Sequence, residues 1–174
     1  MLVPATVQAV GTVAPPCLGK SQLAAAETFY KRYSEFYLQD PKQLRGLVTA
    51  GLLYGLAQEY QCKKQGELCA IEADPWSGAQ DGEIKKPISF RLLSGDNRSA
   101  TVAMHYLFVM DGKKEKQSAT LQLERNNPNA CWQVADIVSA TGSSLRQLLQ
   151  TTQSDADESP LPPPGSNQAT SVTD

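Results

Sequence analysis

The chain has a single histidine in 174 residues, no Cys-x-x-Cys pair, and no apolar run of the about eighteen residues that a membrane-crossing helix needs. A zinc site therefore lacks ligands, and no cofactor or metal is expected. No Ser-His-Asp spacing stands out around His105, and no internal repeat is visible. Charge of neither sign is in excess: 16 Lys plus Arg stand against 18 Asp plus Glu. That balance argues against nucleic acid as a partner, because neutralising phosphates needs a basic surface. The first twenty residues lack a basic start followed by a compact apolar run, so they do not read as an export signal. Either the chain is cytosolic, or it starts after a missing or miscalled signal.

What is present is enough for one folded unit. Hydrophobic residues make up 41% of the chain, which can fill one core and is too much for wholesale disorder. Residues 1–20 contain Pro4, Pro15 and Pro16 and read as a loop-like arm. Residues 151–174 have no Lys, Arg or aromatic and four acids, with a proline run at Pro162–Pro164. They read as a disordered acidic tail, or alternatively as a proline-rich docking peptide. Without that tail, the body carries 16 basic and 14 acidic residues.

The body, 21–150, changes period part-way. Ser21 caps a helix expected to run to about Leu38, with Phe29, Tyr33 and Phe36 along one stripe. A short helix follows over 41–47, opened by Pro41, and a third over 49–61. Residues 70–86 read as a loop. Strands are expected at 87–93, at 99–110 (apolar on both faces, hence central), at 116–125 and at 130–139. Asp111-Gly112 marks a hairpin, and 145–149 is a closing helical turn. Helices first and an antiparallel meander second make an α+β fold.

Cys17, Cys62, Cys69 and Cys131 are even in number, as disulfides require. Cys62 and Cys69 bracket a polar, hairpin-like loop whose six intervening residues allow a bridge. Such a bridge stabilises by about 2–3 kcal/mol in the chain-entropy model. Cys17 can then pin the N-terminal arm to Cys131. Inert free thiols are the alternative; reactive or metal-bound cysteines fit less well.

Four segments carry a resemblance: PPCLGKSQLAAAETFYKRY, EADPWSGAQDGEI, ACWQVADIV and GSSLRQLL. In this order, over residues 15–150, they resemble a bacterial envelope family of unknown function that includes the enterobacterial lipoprotein YbjP. The features carried over are an early cysteine before a Phe29-Tyr30 helix and a DPF-type loop, here Asp74-Pro75-Trp76. A Cys131-Trp132 strand bearing Asp136 and a helix start at Ser144-Leu145-Arg146 complete them. The resemblance implies a nuclear-transport-factor-like (cystatin-like) cone, with helices filling the concave face of a curved sheet around a pocket. It also implies residence in the periplasm or at the outer membrane, and its early and late cysteines support the Cys17–Cys131 pairing. It implies no catalytic residues. Membrane association would then rest on an N-terminal anchor that the sequence does not show.

Two sets of residues are candidates for function. In the loop, Asp74 starts a turn, Trp76 packs on the helices, and Gln80 and Asp81 are expected to bond loop backbone; an exposed Trp76 would instead anchor a partner. The acids Asp74, Asp81 and Glu83 do not alternate as a calcium loop requires. In the strands, Asp136 falls by simple alternation on the side of Trp132 and Val134, among apolar residues. With Tyr33, Tyr106 and Trp132 it would line a pocket and act as a general base; otherwise it pairs with Arg146 or caps the closing turn. The leading expectation is a non-catalytic envelope protein that binds another envelope protein or a secreted toxin, as an accessory or immunity-type module. The second is a small-ligand pocket protein, a hydrolase or isomerase using Asp136.

Overall fold

The computed structural model describes residues 16–156. The expected N-terminal arm up to residue 15 and the tail from residue 157 lie outside the described residues. The element order is α1 (Gln22–Tyr33), 3-10 turns at Phe36–Leu38 and Pro41–Leu44, α2 (Ala50–Gln65), β1 (Glu83–Gly95), β2 (Ser99–Met110), β3 (Lys113–Glu124), β4 (Gln133–Val138) and α3 (Leu145–Ala156). The strands form one open antiparallel sheet in the order β1-β2-β3-β4, so the architecture is α+β. No helix among the described residues is long and apolar enough to cross a membrane.

α1 starts where Ser21 accepts the Ala24 amide at 3.2 Å, but it ends at Tyr33, five residues earlier than its periodicity predicts. The Ser34 carbonyl accepts from the Trp76 indole instead of prolonging the helix, and the Leu38 amide turns to Glu35. The short helix after Asp40 is a 3-10 turn ending at Leu44. Gly46, at φ 78°, then turns the chain so that Val48 bridges Val134 of β4. There the Val134 amide donates to the Leu47 carbonyl and the Thr49 amide to the Val134 carbonyl, both at 2.9 Å. This strip covers the free edge of β4, which would otherwise expose unpaired backbone.

α2 runs to Gln65, a turn further than expected, and stops at Gly66 in the left-handed conformation. Cys62 therefore sits within a helix, and the Cys62–Cys69 bridge ties the end of α2 to the returning chain, with no hairpin involved. The Cys17–Cys131 bridge is also formed, with Cα atoms 5.5 Å apart. Beside it the Trp132 indole donates to the Lys20 carbonyl at 3.1 Å, and Leu18 is buried in the core. The end of the irregular arm is thus part of the packed unit.

β1 begins at Glu83, inside the segment expected to be loop, and β4 is shorter than expected. β2 has the expected limits and is flanked on both sides. Val102, Met104, Tyr106 and Phe108 of β2 share the inner face with Ala119, Leu121 and Leu123 of β3. α1 lies over β1, β2 and β3, while α2 and α3 pack at β4. α3 contacts α2 closely: a Cβ on Gly55 would meet the Leu149 Cβ at 2.9 Å. α3 also runs to Ala156, into the segment read from the sequence as tail. Its helical pattern meets no proline before Pro160.

Candidate functional site

The loop from Asp74 is built around one carboxylate. Asp74 Oδ1 accepts the amides of Trp76 (3.0 Å) and Ser77 (2.8 Å) and the Ser77 hydroxyl (3.0 Å). Its Oδ2 accepts the Tyr37 hydroxyl at 3.2 Å. Trp76 is 1% exposed, packed edge-on to Tyr30 and Phe36, with its indole N–H on the Ser34 carbonyl. The reading of Trp76 as an exposed anchor is thereby overturned: the indole N–H and the ring are both used inside. Gln80 and Asp81 are exposed, and neither side chain bonds the loop backbone as expected. Asp74 does that work because it alone precedes the turn.

A cleft of about 300 Å³ opens beside this loop, lined by Tyr30, Glu35, Tyr37, Asp74 and Gln80 among others. Partial burial, then the Asp74 charge and hydrogen bond, push the Tyr37 hydroxyl up to about 12, with Glu35 adding to it. Burial and Asp74 raise Tyr30, and burial, Asp74 and Tyr30 raise Tyr106. All three phenols are held neutral, which suits hydrogen bonding and removes them as bases.

Asp136 is not where alternation places it. Gln122 pairs with Asp136 but Leu123 pairs with Val134, so Ala135 is an extra residue in β4. One inserted residue reverses the facing of the residues after it. Asp136 thus points away from the face shared by Val134 and Ile137, and the first turn of α3 covers it. Its Oδ2 accepts the Ser144 hydroxyl at 2.6 Å; its Oδ1 accepts the amides of Ile137 (2.8 Å) and Arg146 (2.9 Å). It caps α3 and meets Arg146 through the backbone.

The other candidate pocket residues lie in separate neighbourhoods. Tyr33 is half-buried against Phe29. Tyr106 is buried and donates to the Trp76 carbonyl at 3.0 Å. Trp132 is fully buried, with the Arg125 guanidinium 4.3 Å above its ring. His105 stands half-buried on the outer sheet face, in a depression shared with Ser89, Lys116 and Ser118. No group of three or more His, Cys, Asp or Glu among the described residues could hold a metal ion.

The sequence reading missed two features of α2. Glu59, 4% exposed, accepts the amides of Ala70 (2.9 Å) and Ile71 (3.0 Å) and pairs with Lys63 at 3.3 Å. It clamps the chain returning from the disulfide loop. On the opposite side of α2, Leu53, Tyr54, Ala57 and Tyr60 form a groove of about 430 Å³ against Pro41, rimmed by Lys42, Arg45 and Lys64. The signal was a second stripe at helical spacing, opposite Leu52, Leu56 and Glu59. Leu38 (58% exposed), Tyr54 (59%) and, beside Cys69, Leu68 (94%) are exposed on the helical segments, and Leu92, Leu93 and Met110 are exposed on the strands.

No protein family, curated protein or solved structure matches this chain. Its own geometry therefore carries the functional argument. Each of the buried acids, Asp136 and Glu59, is satisfied internally, and no buried side-chain nitrogen or oxygen among the described residues lacks a partner.

Proposed function

We propose that this chain is a non-catalytic, disulfide-stapled binding module of the bacterial envelope that docks onto another protein. The partner classes are an envelope assembly that takes an accessory subunit and a secreted toxin that takes an immunity protein. Membership of the YbjP-containing envelope family and the nuclear-transport-factor-like cone belong to the same proposal. The observation that carries it is the display of Leu38 and Leu68 on the helical side of a scaffold whose buried acids are already bonded. Leu68 costs exposed apolar surface at a position held by a bridge and by Glu59, which fits an anchor better than a filler.

The two bridges support an oxidising compartment, since reduced thiols are the rule in the cytosol. The test is a crosslinked pull-down from the native cells with the full chain as bait, beside a Leu38→Asp/Leu68→Asp bait. One stoichiometric envelope or toxin partner, lost with the double variant, is expected. The same recovery from both baits, or none from either, would contradict the reading.

A further inference from the structure

We propose that the groove between α2 and the Pro41–Leu44 turn is the docking site of this chain's own acidic, proline-containing segment, residues 157–164. The inference goes beyond the binding-module reading and does not need it.

The groove and the segment are complementary in charge. Lys42, Arg45 and Lys64 rim the groove, and the rim's acid, Asp40, is engaged by the Lys42 amide at 2.9 Å. The rim is therefore net basic. The segment reads Asp157-Glu158-Ser159-Pro160-Leu161-Pro162-Pro163-Pro164, with two carboxylates followed by four prolines and one leucine. It has no basic residue of its own to satisfy those acids.

They are also complementary in shape and surface. Proline runs are pre-set in the polyproline II conformation and lose little entropy on docking; aromatic-lined grooves are their usual receptors. Tyr54 is 59% exposed at this groove. Tyr60 lines it too, with the Lys64 ammonium 4.8 Å from its ring centre. That arrangement sets a flat apolar wall beside a cation, which is what a proline next to a carboxylate requires. Another basic cluster, Lys113, Lys114 and Lys116 at the β2–β3 turn, includes Glu115 and no tyrosine. It serves as an internal control.

The chain is long enough to reach the groove. α3 packs on α2 through Leu149 against Gly55, and α3 ends at Ala156. Seven residues of helix advance the chain by about 10 Å, and α2 with its side chains is about 10–12 Å across. Eight further residues in polyproline II geometry span about 25 Å. The prolines can therefore reach the Tyr54 side within one molecule; Asp157 and Glu158, one and two residues past Ala156, would meet the rim through the long lysine side chains, and tethering supplies a high effective concentration.

The experiment is zero-length carboxyl-to-amine crosslinking of the full chain, with linked peptides identified by mass spectrometry. Links from Asp157 or Glu158 to Lys42 or Lys64 are expected within single molecules, well above links to Lys113, Lys114 or Lys116. Arg45 and Tyr54 are exposed, so Arg45→Glu and Tyr54→Ala are expected to leave the fold in place, which circular dichroism and melting check. Each should lower the groove links by about tenfold, the loss of one anchor of about 1.4 kcal/mol. Equal linking to the hairpin lysines, or no response to either variant, would overturn the proposal. So would links found only between two copies in an isotope-mixed sample, which would assign the groove to a second molecule. An unlinked groove together with a recovered pull-down partner would overturn this inference and leave the binding-module reading standing.

Discussion

Asp136 shows how a buried acid can be structural without being idle. Its two oxygens hold the start of α3 against β4 through one hydroxyl and two amides. Asp136→Ala leaves those amides without an acceptor in a buried place. It should cost about 2–4 kcal/mol, read as a lower denaturation midpoint in urea. Asp136→Asn keeps one acceptor oxygen and should cost clearly less. Tyr37 gives a prediction in pH. Its phenol titrates near 10 when unfolded and is pushed up to about 12 in the fold. The neutral form is the one that folding favours. Its stabilisation is complete below about pH 10 and is lost as the pH rises towards 12. Tyr30 and Tyr106 are raised too and act in the same direction. Urea denaturation should therefore show stability falling across that window, with a shallower fall in Tyr37→Phe. At this scale the sequence exposed the turn-starting role of Asp74 and offered helix capping as one role for Asp136. It hid the bulge at Ala135, because a one-residue insertion leaves no mark in alternation. It hid Glu59 as well, because a mid-helix glutamate looks solvated until the returning chain is placed over it.

Two glycines in α2 test the helix packing against each other. Gly51 is exposed, and a Cβ there meets nothing within 4 Å. Gly51→Ala should stabilise by about 0.5–1 kcal/mol from helix propensity alone. Gly55→Ala gains the same propensity but drives its methyl into the Leu149 Cβ at 2.9 Å. A Cβ cannot swing aside, so α3 must shift, and the net effect should be destabilising; thermal melts of the two variants settle the opposite signs. The bridges act on a larger loop. Cys17 and Cys131 are 114 residues apart in sequence, Cys62 and Cys69 only 7. The entropy model gives about 4–5 kcal/mol for the long loop and about 2–3 kcal/mol for the short one as upper figures. The Cys17→Ser/Cys131→Ser pair should therefore lose more stability than the Cys62→Ser/Cys69→Ser pair. Element types and order were legible because the apolar period changes from helical to alternating after the 70–86 segment. Ends were less so: Trp76, distant in sequence, stops α1, and Leu47–Thr49 joins the sheet only because β4 needs an edge partner.

The whole molecule is a helical layer and a sheet sharing one core, closed by bridges at the N-terminal arm and at the end of α2. The α+β class could be read from the order of elements. The groove on α2 could not, since its aromatic wall and basic rim come from two segments that only packing brings together. We propose a scaffold stapled for an oxidising compartment, with its polar interior used for structure and its exposed helical layer left for a partner. Alkylating thiols in intact native cells, before any reductant, and weighing the recovered full chain tests that claim most directly. The account predicts no adduct, with four appearing only after reduction in denaturant, one for each cysteine. Four adducts in the first sample would place reduced cysteines in the cell and contradict both the bridges and the envelope reading.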